Sequence, residues 1–372
     1  MVLIFHFIGG MEPTTSFERV LCKITAFGAS GVELFFVLSG FLITGILVDA
    51  RDDPRYFRNF YMRRFLRIFP LYYGVLTVLF VVVPTIPFFR GEALAYLQQR
   101  QAWAWLYAVN VHIATHGAWS MSYLDHFWSL CVEEHFYLVW PLLVWLLARN
   151  PRRLMVVSAT LAFGAMAART IGFAAGLSWW TTYVLTPFRL DGLALGGFLA
   201  LLARQPGGFE TIARNVPRVA LVLAALAAGT VAWAKAAHDE RSLAYPVRSA
   251  IFIMLLATLL MWAVTTPEGS AASRFFRSRP LVLAGTYSYG LYVYHHFISY
   301  YMVTNRTETM LAGPLGSHLA AVVAQAVVGF AASAAIAYAS YELFEKRFLA
   351  LKRYFEAGRV PAAAASSATA PP

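Results

Sequence analysis

The stretch DHFWSLCVEEHFYLVWP, residues 125–141, reads as a membrane-crossing helix, yet it carries Glu133 and Glu134 inside its apolar run. An acid at bilayer depth costs about 3 kcal/mol on insertion scales unless it faces a protein interior, a partner or water, so both acids are candidates for function. Trp128, Glu133 and Tyr137 recur at helical spacing and share one inward face. A packing ion pair is the alternative reading.

Working outward, the 372 residues are 59% hydrophobic and only 13% charged, with a mean hydropathy of +0.59. That is too apolar for a soluble globule of this length and implies an all-α, polytopic membrane bundle. The net charge of +11 does not point to nucleic acid, because the basic residues lie between apolar segments rather than on one polar domain. Cys22 and Cys131 match no metal-ligand spacing, so neither a metal site nor a disulfide framework is expected.

Nine windows are long enough to span: 31–48, 69–89, 127–148, 154–175, 183–203, 219–237, 247–266, 281–303 and 318–341. MVLIFHFI, residues 1–8, is too short to span by itself and reads as the second half of a truncated first helix, giving about ten in all. The connections beginning at Arg51, Arg149, Arg204 and Arg274, together with the tail, hold 20 of the 30 Lys and Arg, which predicts both termini inside. The long outward connection 90–126 carries Trp103, Trp105 and Tyr107, suited to a short helix at the interface that lids a polar cavity. The expected organisation is a transmembrane domain over 1–348 and a cytoplasmic, disordered, Ala/Ser/Pro-rich tail over 349–372.

Several further polar residues fall at membrane depth. His6, between two phenylalanines, is either a base facing a cavity or a buried ring bonded to a carbonyl. Glu33 opens GVELFFVLSGFLITG near the outer surface, and Ser39 and Gly40 at mid-depth favour close helix packing. Arg64 and Arg67 stand one turn apart at an inner mouth and offer two guanidinium forks to one anion; lipid-headgroup contact is the plainer reading. Arg189 and Asp191, two residues apart, cannot face each other and each needs a partner on another helix, either at a cavity or in a structural ion pair. The tyrosine-rich TYSYGLYVYHHFISYY places His295 and His296 in the outer half, and helical rise sets His6, Glu133, Asp191 and His295 at a shared depth.

FHF at His6, GVELFFVLSGFLITG, FYMRRFLRIFPLYY, HFWSLCVEEHFYLVWP, RLDGLALGGFLA, YSYGLYVYH and FEKRF, in that order, resemble the integral-membrane acyltransferase-three family. Its members move acyl groups, often acetyl, onto hydroxyls of glycans, lipids or secondary metabolites. The resemblance implies a ten-helix fold in the bacterial inner membrane, with His6 serving the transfer and Arg64 and Arg67 holding the phosphates of acyl-CoA, the donor. Glu133 matches the family's acid and Glu134 its neighbour. The family ordinarily has an arginine eleven residues before that histidine, a position ahead of Met1 here; Tyr294 stands for the usual Trp, and Arg347 for the usual Pro.

On this reading His6 deprotonates a glycan hydroxyl, Glu133 steadies the imidazolium, and tyrosines of the ninth helix such as Tyr292 line the acceptor path. Two rival readings remain: a transporter of a lipid-linked or acylated glycan, and a non-catalytic membrane partner.

Overall fold

The computed structural model describes residues 1–87, 91–237 and 242–356, and every regular element among them is helical. The chain begins with α1 (Val2–Ile4), which widens into a π-helical turn over Phe5–Gly9. Next come α2 (Ser16–Ala26), closed by a capping box between Thr15 and Glu18, then α3 (Gly31–Asp49) and α4 (Tyr56–Thr77). Three short helices follow: α5 (Glu92–Gln99), α6 (Gln101–Trp105) and α7 (Val109–His116). The middle of the chain supplies α8 (Trp128–Leu147), α9 (Pro151–Ala174), α10 (Trp179–Val184) and α11 (Thr186–Ala203). Then come α12 (Gly208–Ala237), α13 (Ala244–Thr265), α14 (Ala271–Phe276) and α15 (Arg279–Thr286). The chain closes with α16 (Ser288–Thr304), α17 (Thr307–Leu315), α18 (His318–Ser340) and α19 (Lys346–Ala350).

By length and composition, eight of the described helices can cross a membrane. The protein is therefore a multi-pass integral membrane bundle. The two remaining expected spans are shorter: the first segment is a helix and one π turn, and α16 has 17 residues because the chain breaks at Tyr287 between it and α15.

Glycine decides how the centre closes. A Cβ on Gly40 would stand 1.8 Å from Leu193 O, and one on Gly196 would stand 2.0 Å from Val37 O. The backbones of α3 and α11 are thus in direct contact, which only small residues permit. The packing expected of Gly40 is found there, while Ser39 also uses its hydroxyl, 2.5 Å from Tyr137 Oη on α8.

Two expectations need correction. The expected short helix exists as α6, with Trp103 and Leu106 exposed, but its Ala104 and Tyr107 side is buried against α4 and none of 103–110 lines the cavity. Tyr72 Oη donates to Ala104 O at 2.7 Å, Tyr73 Oη donates to Trp105 O at 3.2 Å, and Tyr107 stacks on Tyr72 with ring centres 4.0 Å apart. Irregular backbone is tolerated at this depth because protein hydroxyls, rather than lipid, meet its carbonyls. Residues 349–355, assigned to the tail, are helical, and the Arg58 guanidinium lies 5.1 Å from the Phe355 ring on that stretch. The rest of the expected tail, 357–372, lies outside the described residues.

Candidate active site

The sequence places nine histidines along the chain; the fold gathers four of them at the arginine-poor end of the bundle. The π turn that follows α1 presents His6, the turn leading into α8 presents His126, and consecutive positions on α16 present His295 and His296. Ring centres lie 4.9 Å apart for His6 and His295, 5.0 Å for His6 and His296, and 4.6 Å for the stacked pair of His126 and His296.

The tautomers follow from the partners. Nδ1 of His295 lies 2.7 Å from Tyr292 O and 3.1 Å from Leu291 O. Carbonyl oxygens only accept, so this nitrogen carries the proton and Nε2 of His295 is left with a lone pair. That Nε2 is 3.1 Å from Nδ1 of His6, which also lies 3.1 Å from Val2 O. Nδ1 of His6, facing two acceptors, must donate. Its Nε2 is then the basic nitrogen of the ring.

His6 lines a cavity of about 810 Å³. Its wall is aromatic, with Trp119, Trp128, Trp179, Trp180, Tyr183 and Tyr292 prominent, and His126 and His296 join it on the polar side. Tyr292 is fixed by donating to His126 O at 2.8 Å and by lying 2.5 Å from Ser129 Oγ. Other tyrosines of α16 point elsewhere: Tyr289 Oη donates to Ile68 O at 2.8 Å and Tyr294 Oη to Ser340 Oγ at 3.0 Å.

The remaining candidates are distributed differently from the sequence expectation. Glu133 does not meet His6; its carboxylate accepts from Tyr137 Oη, which joins it to Ser39. The spacing that suggested a shared face for Glu133 and Tyr137 was a contact between those two residues themselves. Glu134 Oε1 is buried and has no hydrogen-bond partner among the described residues. Arg64 lies with its guanidinium 5.4 Å from the Tyr137 ring, and neither Arg64 nor Arg67, both half-buried, has a hydrogen bond or ion pair among the described residues.

Arg189 and Asp191 each find the partner on another helix that their spacing demanded. Arg189 donates to Glu33 on α3, under the rings of Phe36, Trp128 and Tyr183 at 5.3–5.6 Å, and Asp191 pairs with Arg169 on α9 at 2.8 Å. Glu33 reaches the cavity wall; Asp191 does not. Of the four residues expected at a shared depth, His6 and His295 alone are brought into contact. His126 was missed because a histidine before a helix start has no periodic signal of its own, and only its four-fold neighbourhood distinguishes it. Among the described residues no group of three or more His, Cys, Asp or Glu is placed to hold a metal ion.

The fold and this site define a polytopic membrane protein that sets a cluster of histidines against an aromatic cavity. A family described as an acyltransferase domain matches residues 1–342, and the chain belongs to that family. It is 30% identical over 289 residues to the peptidoglycan O-acetyltransferase OatA of Listeria monocytogenes, a match covering 72% of this chain and 44% of that protein. It is 27% identical over 294 residues to the O-acetyltransferase OatA of Staphylococcus aureus, covering 74% of this chain and 47% of that protein. The chain spans less than half the length of these relatives. No solved structure matches it.

Proposed function

We propose that the chain is an O-acyltransferase of the bacterial inner membrane that moves an acyl group, acetyl in the first instance, from acyl-CoA to a hydroxyl of a cell-surface glycan. The observation that carries this reading is the basic Nε2 of His6 on the wall of the aromatic cavity. Sugars stack on aromatic faces while their hydroxyls find polar tips, and this cavity offers both. The named relatives, both O-acetyltransferases and one of them acting on peptidoglycan, support the same acceptor chemistry.

The reaction runs as follows. The acceptor O–H gives its proton to Nε2 of His6 as its oxygen bonds the acyl carbon; the C–S bond then breaks and the departing thiolate takes the proton back from the imidazolium. Arg64 and Arg67 hold the donor's phosphates from the cytoplasmic face. Their fork geometry, their i,i+3 spacing and the lack of any competing carboxylate bond among the described residues support this role. Glu133, held by Tyr137 and next to Arg64 across that ring, orders the inner half of the donor path rather than the base.

The test is the ester-linked acyl content of surface glycan, measured by NMR in a deletion strain complemented with the wild type or His6→Ala at matched expression. Acyl signal restored by the wild type and absent with His6→Ala is expected. Equal restoration by both would remove His6 from the chemistry.

A further inference from the structure

A buried base needs something to hold its tautomer, and the carboxylate expected to do so, Glu133, is bonded elsewhere. We infer that His295 is the positioning residue of the transfer, a neutral imidazole doing for His6 what a carboxylate does for other histidine bases. This rests on the reading of His6 as the base.

The geometry leaves little freedom. If the His295 proton sat on Nε2 instead, its Nδ1 lone pair would face two carbonyl oxygens at 2.7 and 3.1 Å, and the His6 nitrogen opposite would have to accept while facing Val2 O at 3.1 Å. Every one of those contacts would be acceptor against acceptor in a buried site, which is costly where water cannot intervene. The helix therefore sets the proton of His295, His295 together with Val2 O sets that of His6, and among the described residues Nε2 of His6 has no hydrogen-bond partner. The signal propagates from a backbone position to the reacting nitrogen through two rings.

The charge consequence separates this arrangement from a His–Asp pair. A carboxylate neutralises the imidazolium as it forms; His295 accepts a hydrogen bond but contributes no negative charge. Nor do the other rings around His6 contribute one. His296, through Nδ1, faces Tyr123 O at 3.3 Å, and His126, through Nε2, faces Val293 O at 3.1 Å, so each donates to a carbonyl. The cavity wall also carries Glu33, paired with Arg189, and Asp125, which accepts from Met121 N at 2.7 Å; neither is hydrogen-bonded to His6.

The test uses the full chain in nanodiscs with ¹⁵N-histidine, comparing wild type, His295→Gln, His295→Leu and His6→Ala. In the wild type, the resonance lost in His6→Ala is expected to show a protonated Nδ1 and a bare Nε2. Gln can accept from His6 through Oε1 and donate to the carbonyls through its amide, so His295→Gln is expected to keep that pattern and to retain kcat within about tenfold. His295→Leu is expected to mix the two tautomers and to lower kcat by roughly a hundredfold at unchanged acceptor KM, the size of a general-base contribution. A His6 ring protonated on Nε2 in the wild type, or His295→Leu with wild-type kcat, overturns the assignment of His295 while leaving His6 as the base. An active His6→Ala overturns the reading beneath it instead.

Discussion

Two groups of polar side chains lie within the membrane part of this protein, and they are built on opposite plans. Around α3, α9 and α11 the charges are matched one to one, Glu33 with Arg189 and Asp191 with Arg169, next to a seam where backbones touch. At the other group, His6, His126, His295 and His296 carry no matched charge; His6 bonds His295, each ring meets a nearby carbonyl, and His6, His126 and His296 open on a cavity. The first plan stabilises only while both partners are present. The second leaves a lone pair over for a substrate. Membrane depth alone therefore does not distinguish a structural charge from a working one; a charge partner on a neighbouring helix marks the first, and a lone pair open to a cavity marks the second.

That contrast can be broken most severely at the seam. Gly196→Leu places a side chain where even a Cβ is 2.0 Å from Val37 O, and is expected to abolish the folded bundle, read as loss of the monodisperse peak in detergent. Arg189→Met, one step milder, strands Glu33 as a buried uncompensated charge and should remove about 3–5 kcal/mol of stability by thermal or denaturant unfolding. Adding Glu33→Gln to it should restore most of that loss, and a double variant no more stable than the single one would contradict the view of the pair as structural. The smallest effect on the fold, and one confined to binding, is expected from Arg64→Ala or Arg67→Ala: the apparent donor KM rises roughly ten- to a hundredfold with the melting temperature unchanged. An unchanged KM for both would move the donor phosphates elsewhere.

Much of this was legible in the chain. Long apolar windows separated by arginine clusters gave the helices, and the ends of α3, α8 and α18 fall within a residue or two of the windows read from hydropathy. The spacing rule that Arg189 and Asp191 cannot face each other foretold two partners on other helices, and both exist. Periodicity failed where contacts are made by backbone. It gave no warning that Ala104 and Trp105 would be captured by Tyr72 and Tyr73, since a carbonyl leaves no mark in the residue pattern. Nor did it pair His6 with His295, 289 positions apart, or turn Glu133 away from them. Depth along each helix was readable; azimuth between helices was not.

The segment from Trp103 to Asn110 has a consequence for assembly. At their basic ends α4 and α8 are tied together, Tyr56 Oη donating to Pro141 O at 3.0 Å and Tyr61 Oη to Leu138 O at 2.9 Å. Farther along, the segment meets α4 at Tyr72 and reaches α10 and α11 through Asn110, bonded to Val184 O and Thr186 Oγ1. The segment is thus a keystone between α4 and the junction of α10 and α11. A keystone is set after the arch it locks: α11, which supplies Thr186, emerges from the ribosome some 80 residues after the segment it anchors. The segment's final docking therefore waits until Thr186 has been made.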